Sequence, residues 1–365
     1  MRKRIGCAAL VFLFALAPMC AQTTLYFLYV SNTVSNNISA FAINPDTGAL
    51  STIKGSPFPA GPSAAGMAAD RAGKFLYVVN EADKSVSAYA INPGTGALSA
   101  VNGSPFHVGT KAQSAAIDPS GKFLYVANDG SANVSAFAIN PSTGALTAVA
   151  GSPFAVGKYG SYPTGVAIDR AGKFLYVADW SGKVFAYAIT RSTGALTEVR
   201  GSPFAAAGTN PLGLAMAPTG TTLYVTNIGG ATVSAYTITP GTGALTKLSG
   251  SPFAAGKAAG GVAVDPTGRF LYVANNGSAN ISGYTISPAV GALTAMRNSP
   301  YHAGTSPSGI AIDPAGRFLY AANHVGNNVS AYKISSDGAL SAVGGSPFAA
   351  GSSPLEVAIV KVTGP

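Results

Sequence analysis

Apolar positions along this chain come in short runs bounded by Gly, Pro, Asp, Asn or Ser, and none sustains the 3.6-residue period of a helix. One run, Leu-Tyr-Val, returns at a nearly fixed interval. It starts at Leu28, Leu76, Leu124, Leu175, Leu223 and Leu271, and as Leu-Tyr-Ala at Leu319, so the steps are 48, 48, 51, 48, 48 and 48 residues. A second marker, Gly-Ser-Pro-Phe, begins at Gly55, Gly103, Gly151, Gly201, Gly250 and Gly345, with Asn298-Ser299-Pro300-Tyr301 as its variant. Two independent markers both count seven, which is the signature of a repeat architecture.

One unit shows the parts. Residues 165–168 read as a short strand of small and β-branched residues, and Asp169-Arg170-Ala171-Gly172 as a tight turn. Residues 174–178 are apolar at consecutive positions, as in a strand covered on both faces. Residues 184–189 and 196–199 read as a third and a fourth strand, the last after a Ser-Thr-Gly turn. Four short antiparallel strands repeated radially predict an all-β, seven-bladed β-propeller. The two ends of the chain agree with a closed ring. Residues 25–30 match the second strand with no first strand before them, and residues 355–360 match the first strand with no second after them. The last strand is therefore expected to complete the first blade, leaving no open sheet edge.

Composition changes this picture only at the start of the chain. Arg2, Lys3 and Arg4 precede a short apolar run from Ala8 to Ala17, which reads as a secretory signal over residues 1–21, cut before Gln22. That leaves residues 22–365 as one propeller domain, secreted, periplasmic or on the cell surface, with no membrane span. Met19 disfavours a lipid anchor at Cys20. Cys7 and Cys20, the only cysteines, lie in the leader, so no disulfide is expected in the mature chain. Losing three basic residues lowers the formal charge from +9 to +6. The remaining lysines are scattered singly, which gives no nucleic-acid footprint. A monomer is expected.

Function needs a break in the repeat. First-to-second and third-to-fourth turns share one face; the other connections share the opposite face, the top. At the top of the first strand the seven equivalent residues are Gly66, Ser114, Gly165, Gly213, Gly261, Gly309 and Glu356. Six are tiny and one is a carboxylate. His302 and His324 fall on the same face in adjoining blades, and the three are read as a catalytic group. A carboxylate or imidazole would activate water and a second group would steady the oxyanion. Lys158, Tyr159 and Tyr162 lie in the insertion that makes the single 51-residue step, and with Trp180 they form an expected aromatic wall for a sugar or ring substrate. His107 and Lys111 occupy another top loop. Glu81, Asp129 and Asp179 are placed in successive top loops, and the Asn37, Asn133, Asn280 and Asn328 sequons are read as turn residues rather than glycan sites. Three histidines without a mature cysteine give no zinc spacing, and neither a Gly-x-Ser-x-Gly elbow nor a calcium loop is present. No metal or cofactor is expected.

The block Leu124-Tyr125-Val126-Ala127-Asn128, Asn133-Val134-Ser135-Ala136-Phe137 and Asn140-Pro141-Ser142-Thr143-Gly144-Ala145-Leu146-Thr147 resembles the repeats of the seven-bladed lactonase family. That family includes propeller-type 6-phosphogluconolactonases and carboxymuconate cyclases. Leu223-Tyr224-Val225-Thr226-Asn227 is also similar to the related tyrosine-valine-threonine-asparagine propeller repeats. The resemblance implies hydrolysis of a lactone. Export and a top face poor in arginine favour an unphosphorylated one. The alternative is a non-catalytic propeller whose top face binds a glycan, peptide or protein.

Overall fold

The computed structural model describes residues 24–157 and 160–363. They form seven antiparallel sheets, six of them with their four main strands in sequence order from the centre outward. In blade 4 these are Pro163–Ile168, Phe174–Asp179, Lys183–Ile189 and Leu196–Glu198, within two residues of the expected bounds. Blade 1 is built from both ends: Pro354–Thr363 is innermost, followed by Thr24–Asn32, Asn37–Ile43 and Leu50–Thr52. Leu28 pairs with Ile359 and Tyr29 with Ala358, so the last strand closes the ring as expected. The proposed leader lies outside the described residues, and no helix among those described is long and apolar enough to cross a membrane.

The two sequence markers hold different junctions. Every Leu-Tyr-Val tyrosine is fully buried, and its hydroxyl donates to the turn glycine between the third and fourth strands of the next blade. Tyr29 bonds Gly96, Tyr77 bonds Gly144, and so on round to Tyr320, which returns to Gly48 of blade 1 at 2.9 Å. Those glycines are required twice over. Gly243, for example, has φ +73°, and a Cβ there would lie 2.4 Å from the Phe174 ring of the preceding blade.

The second marker explains an element that the pattern did not foretell. Each sheet carries a fifth strand of only two residues, such as Phe204–Ala205, paired to the third strand. The serine before it accepts a hydrogen bond from the third strand's backbone, as Ser202 Oγ does from Ala186 N–H at 3.1 Å, in all seven blades. The sequon residues Asn37, Asn133, Asn280 and Asn328 open third strands rather than sit in turns. Each accepts a hydrogen bond from the buried asparagine ending the second strand.

Candidate functional site

First strands of neighbouring blades contact one another round the ring and wall a central cavity of about 450 Å³. Each first strand carries a register shift near its top, where extra residues leave the ladder. Such bulges re-aim side chains and bend the strand. Bulged residues form much of the cavity lining: Gly66, Gln113, Thr164 with Gly165, Leu212 with Gly213, Gly260 with Gly261, Ser308 with Gly309, and Leu355 with Glu356, joined by Ser114 beside the Gln113 bulge.

This geometry gives the run of tiny residues a packing cause. A Cβ on Gly165 would lie 2.2 Å from Leu212 O, one on Gly261 2.2 Å from Ser308 O, and one on Gly66 2.4 Å from Gln113 O. Each is the carbonyl of the adjoining blade's first strand, so glycine permits the close approach that narrows the channel. Hydroxyls clamp several of these junctions. Thr226 Oγ1 donates to Gly260 O at 2.6 Å, Ser31 Oγ to Ala65 O at 2.6 Å, and Ser308 Oγ to Leu355 O at 2.8 Å.

Among the described residues, Glu356 is the one charged side chain in the lining. Its backbone N–H donates to Ser31 Oγ at 3.2 Å, and its Oε1 accepts a bond from Val357 N–H at 3.3 Å. Burial pushes its carboxyl from 4.5 up to about 7, and the Val357 bond offsets only part of that rise. Some of its surface stays open to the cavity, so water reaches it.

The other expected residues spread out. His302 lies on the two-residue strand of blade 6, exposed and opposite Asn280 on the third strand, so it stands at the blade's outer part and not in the cavity lining. The expected convergence of His302 with Glu356 is therefore corrected. The connection to the next blade starts at the outer edge and reaches the centre only near Pro307. His107 occupies the same peripheral position in blade 2, opposite Ser85. His324 follows the second strand of blade 7, its N–H bonded to Ser306 O at 2.9 Å and its Nδ1 buried without a partner. The same repeat position in blades 5 and 6 holds Ile228 and Asn276, which line the cavity mouth. His324 thus belongs to the rim above the cavity.

Blades 3 and 4 hold the remaining candidates. Lys111 is exposed, and its carbonyl accepts from Asp129 N–H at 3.0 Å. Tyr162 and Trp180 are exposed, at 49% and 42%. Lys158 and Tyr159 lie outside the described residues. Asp179, read as a loop residue, instead ends the second strand fully buried, where the six other blades place Asn32, Asn80, Asn128, Asn227, Asn275 and Asn323. Its carboxylate accepts bonds from Tyr162 N–H at 2.8 Å and Ser181 N–H at 2.9 Å, which is a structural duty. Sequence reasoning missed Gln113. The signal was available one position before the tiny residues, where Ala65, Gln113, Thr164, Leu212, Gly260, Ser308 and Leu355 vary freely.

A ring of seven four-stranded blades round a narrow cavity, with a carboxylate in its wall, defines a seven-bladed β-propeller. The sequence matches the family described as Lactonase, 7-bladed beta-propeller, over residues 21–113, 63–160 and 166–357, and the chain belongs to that family. Among solved structures it is similar to a Bacteroides fragilis protein provisionally assigned as a 6-phosphogluconolactonase, with a TM-score of 0.81 and 22% identity over 94% of this chain and 100% of that one. It is also similar to the Pseudomonas aeruginosa periplasmic gluconolactonase, with a TM-score of 0.78 and 20% identity over 92% and 99%. A Desulfotomaculum acetoxidans protein of unknown function shares the fold at a TM-score of 0.70 and 15% identity over 92% and 98%. No curated protein matches at a significant level.

Proposed function

We propose that the central cavity hydrolyses an uncharged lactone, with Glu356 as general base. The observation that carries this reading is the position of Glu356. Among the described residues it is the only charged group in the lining, it replaces a glycine or serine of the other blades, and its carboxyl is poised at about 7. A base with that value is half ionised near neutral pH and still basic enough to take a proton from water. In the step, Glu356 removes a proton as the water oxygen bonds to the lactone carbonyl carbon. The ring C–O bond then breaks, and the protonated Glu356 returns its proton to the leaving alkoxide oxygen. The new carboxylic acid ionises to solvent. Gln113, Ser114 and Asn276 offer uncharged donors for the carbonyl oxygen, while the lining hydroxyls of Thr164 and Ser308 already donate to backbone carbonyls.

Among the described residues the lining holds no Arg, Lys or His, which supports an unphosphorylated substrate, because a phosphate there would meet the Glu356 carboxylate. The similar P. aeruginosa protein is named for gluconolactone, a substrate of this kind, and for a periplasmic location. Location outside the cytoplasm is part of the proposal and rests on the basic-then-apolar start of the chain. The test is proton release by the purified protein against a panel of sugar and aliphatic lactones, with Glu356→Gln alongside. Hydrolysis lost in E356Q, and rising in the wild type as pH passes through about 7, is the expected result. Hydrolysis that survives E356Q removes Glu356 as the base, and none across the panel removes the activity.

A further inference from the structure

Four departures from the repeat coincide at the top of blade 4. The loop before its first strand carries the insertion, its second strand ends in Asp179 rather than Asn, the chain's only tryptophan follows, and Tyr162 stands exposed beside it. The parts are connected. Pro163 pairs with Asp179, and Trp180 N–H donates to Tyr162 O at 3.0 Å, which extends that register by one pair. Residues opposed on antiparallel strands carry their side chains on one side of the ladder. Pro163 and Asp179 are buried, so Tyr162 and Trp180 face outward together. The pair is also held in place from below. Asp179 accepts the Tyr162 N–H, and Asn210 Nδ2 donates to Trp180 O at 3.2 Å from the next blade.

Polar groups flank this aromatic pair. Asp129 occupies the rim position of blade 3 that Trp180 occupies in blade 4, and its Oδ1 is buried without a partner. The charged groups that it feels are Lys111 and Asp179. Lys111 lies across the same turn, its Cγ close above Gly130. Two exposed, pre-positioned aromatic rings with a half-buried carboxylate and an exposed lysine on the neighbouring rim suit one chemistry in particular. A sugar ring offers an apolar C–H face for stacking and an edge of hydroxyls that both donate and accept.

We infer that the blade 3–blade 4 rim is a carbohydrate-binding platform, in which Tyr162 and Trp180 stack a pyranose ring and Asp129 and Lys111 bond its hydroxyls. Its residues are not among those that line the cavity, although Asp129 and Trp180 stand at the repeat position that lines the mouth in blades 5 and 6, and it does not depend on the cavity being a lactonase site. It would hold a saccharide either as a free ring or as part of a polymer.

Trp180 is the only tryptophan, so intrinsic emission reports this place alone. The titrants are methyl β-glucoside for the free ring and cello-, malto- and xylohexaose for the polymer. The expected result is a saturable change in emission with at least one of them, the same in E356Q, and about tenfold weaker in Tyr162→Ala and in Asp129→Asn. Response to the glucoside as well as a hexaose identifies ring recognition; response to a hexaose alone identifies a polymer site. Native electrophoresis through gels containing xylan or soluble cellulose reads the same binding without the fluorophore, and Trp180→Phe should abolish retardation there. Circular dichroism of each variant establishes that it is folded. Emission unmoved by every saccharide, or binding unchanged in folded Y162A and D129N, overturns the inference. Loss of lactone hydrolysis in E356Q with saccharide binding intact separates the two proposals.

Discussion

Placing Glu356 in the cavity wall should cost the fold stability that can be read directly against pH. Its carboxyl is pushed from 4.5 to about 7 by burial, so the folded protein holds the proton more tightly than the unfolded chain does. Below about pH 4.5 both states are protonated and the full stability is present. As pH rises through the interval, the unfolded chain ionises first, and stability falls until the folded carboxyl has ionised too. The difference between 4.5 and 7 is worth about 3 kcal/mol, and the surface left open to the cavity brings the expected loss to about 2–3 kcal/mol. Urea unfolding at a series of pH values from about 4 to 8.5, for wild type and Glu356→Gln, measures it. At the acid end the amide resembles the protonated acid, and the two proteins should differ little. At the alkaline end E356Q should be the more stable by that same amount. Asp129, also raised by burial, ionises in both proteins and cancels in the difference. A difference that stays constant with pH, or a wild type that gains on the variant as pH rises, would refute burial as the dominant influence on this group. The same ionisation that would arm the base is then the one that loosens the ring.

Three further outcomes follow from the packing. Tyr176→Phe removes the hydroxyl that donates to Gly243 O at 3.0 Å in a buried junction, and a loss of about 1–2 kcal/mol is expected in urea unfolding. Gly261→Ala puts a methyl 2.2 Å from a neighbouring backbone carbonyl and should cost about 2–3 kcal/mol, against about 1 kcal/mol for Gly121→Ala. Gly121 has φ +72° but nothing within 4 Å, so equal losses would show that channel packing does not select glycine. Removing residues 354–363 should leave the Thr24–Asn32 strand as a bare apolar edge, giving aggregates rather than a stable monomer on size-exclusion chromatography.

The repeated strands were legible because each is apolar over several residues and bracketed by turn chemistry. The Asp169 turn shows why that signal is strong: its Oδ1 accepts from both Lys173 N–H and Phe174 N–H, at 2.6 and 2.7 Å, fixing where the next strand begins. Phe204–Ala205 left no comparable trace, since two residues have no period. Glu356 was legible because the ring makes one position seven times and a carboxylate stands out among tiny residues. The cause of their smallness was not legible, as it lies in carbonyls contributed by other blades. His302 was misplaced because repeat alignment gives a residue's face but not its distance from the axis. A connection that begins at the outer edge and ends at the centre carries residues of very different fates.

The seam in blade 1 also orders the molecule in time. Thr24–Asn32 is among the first structured segments to be synthesised, and its innermost partner, Pro354–Thr363, is the last. Leu28 and Val30 already pack toward blade 7, beside Tyr320 and Val329, so that face too must wait. While the intervening blades are synthesised, the chain therefore carries an unpaired, apolar Thr24–Asn32 strand beside blades that can assemble locally. Pairing across such a sequence separation is the slow, aggregation-exposed part of folding. Ring closure is thus a checkpoint on Pro354–Thr363: without that strand six blades can be complete and the first blade cannot close against them.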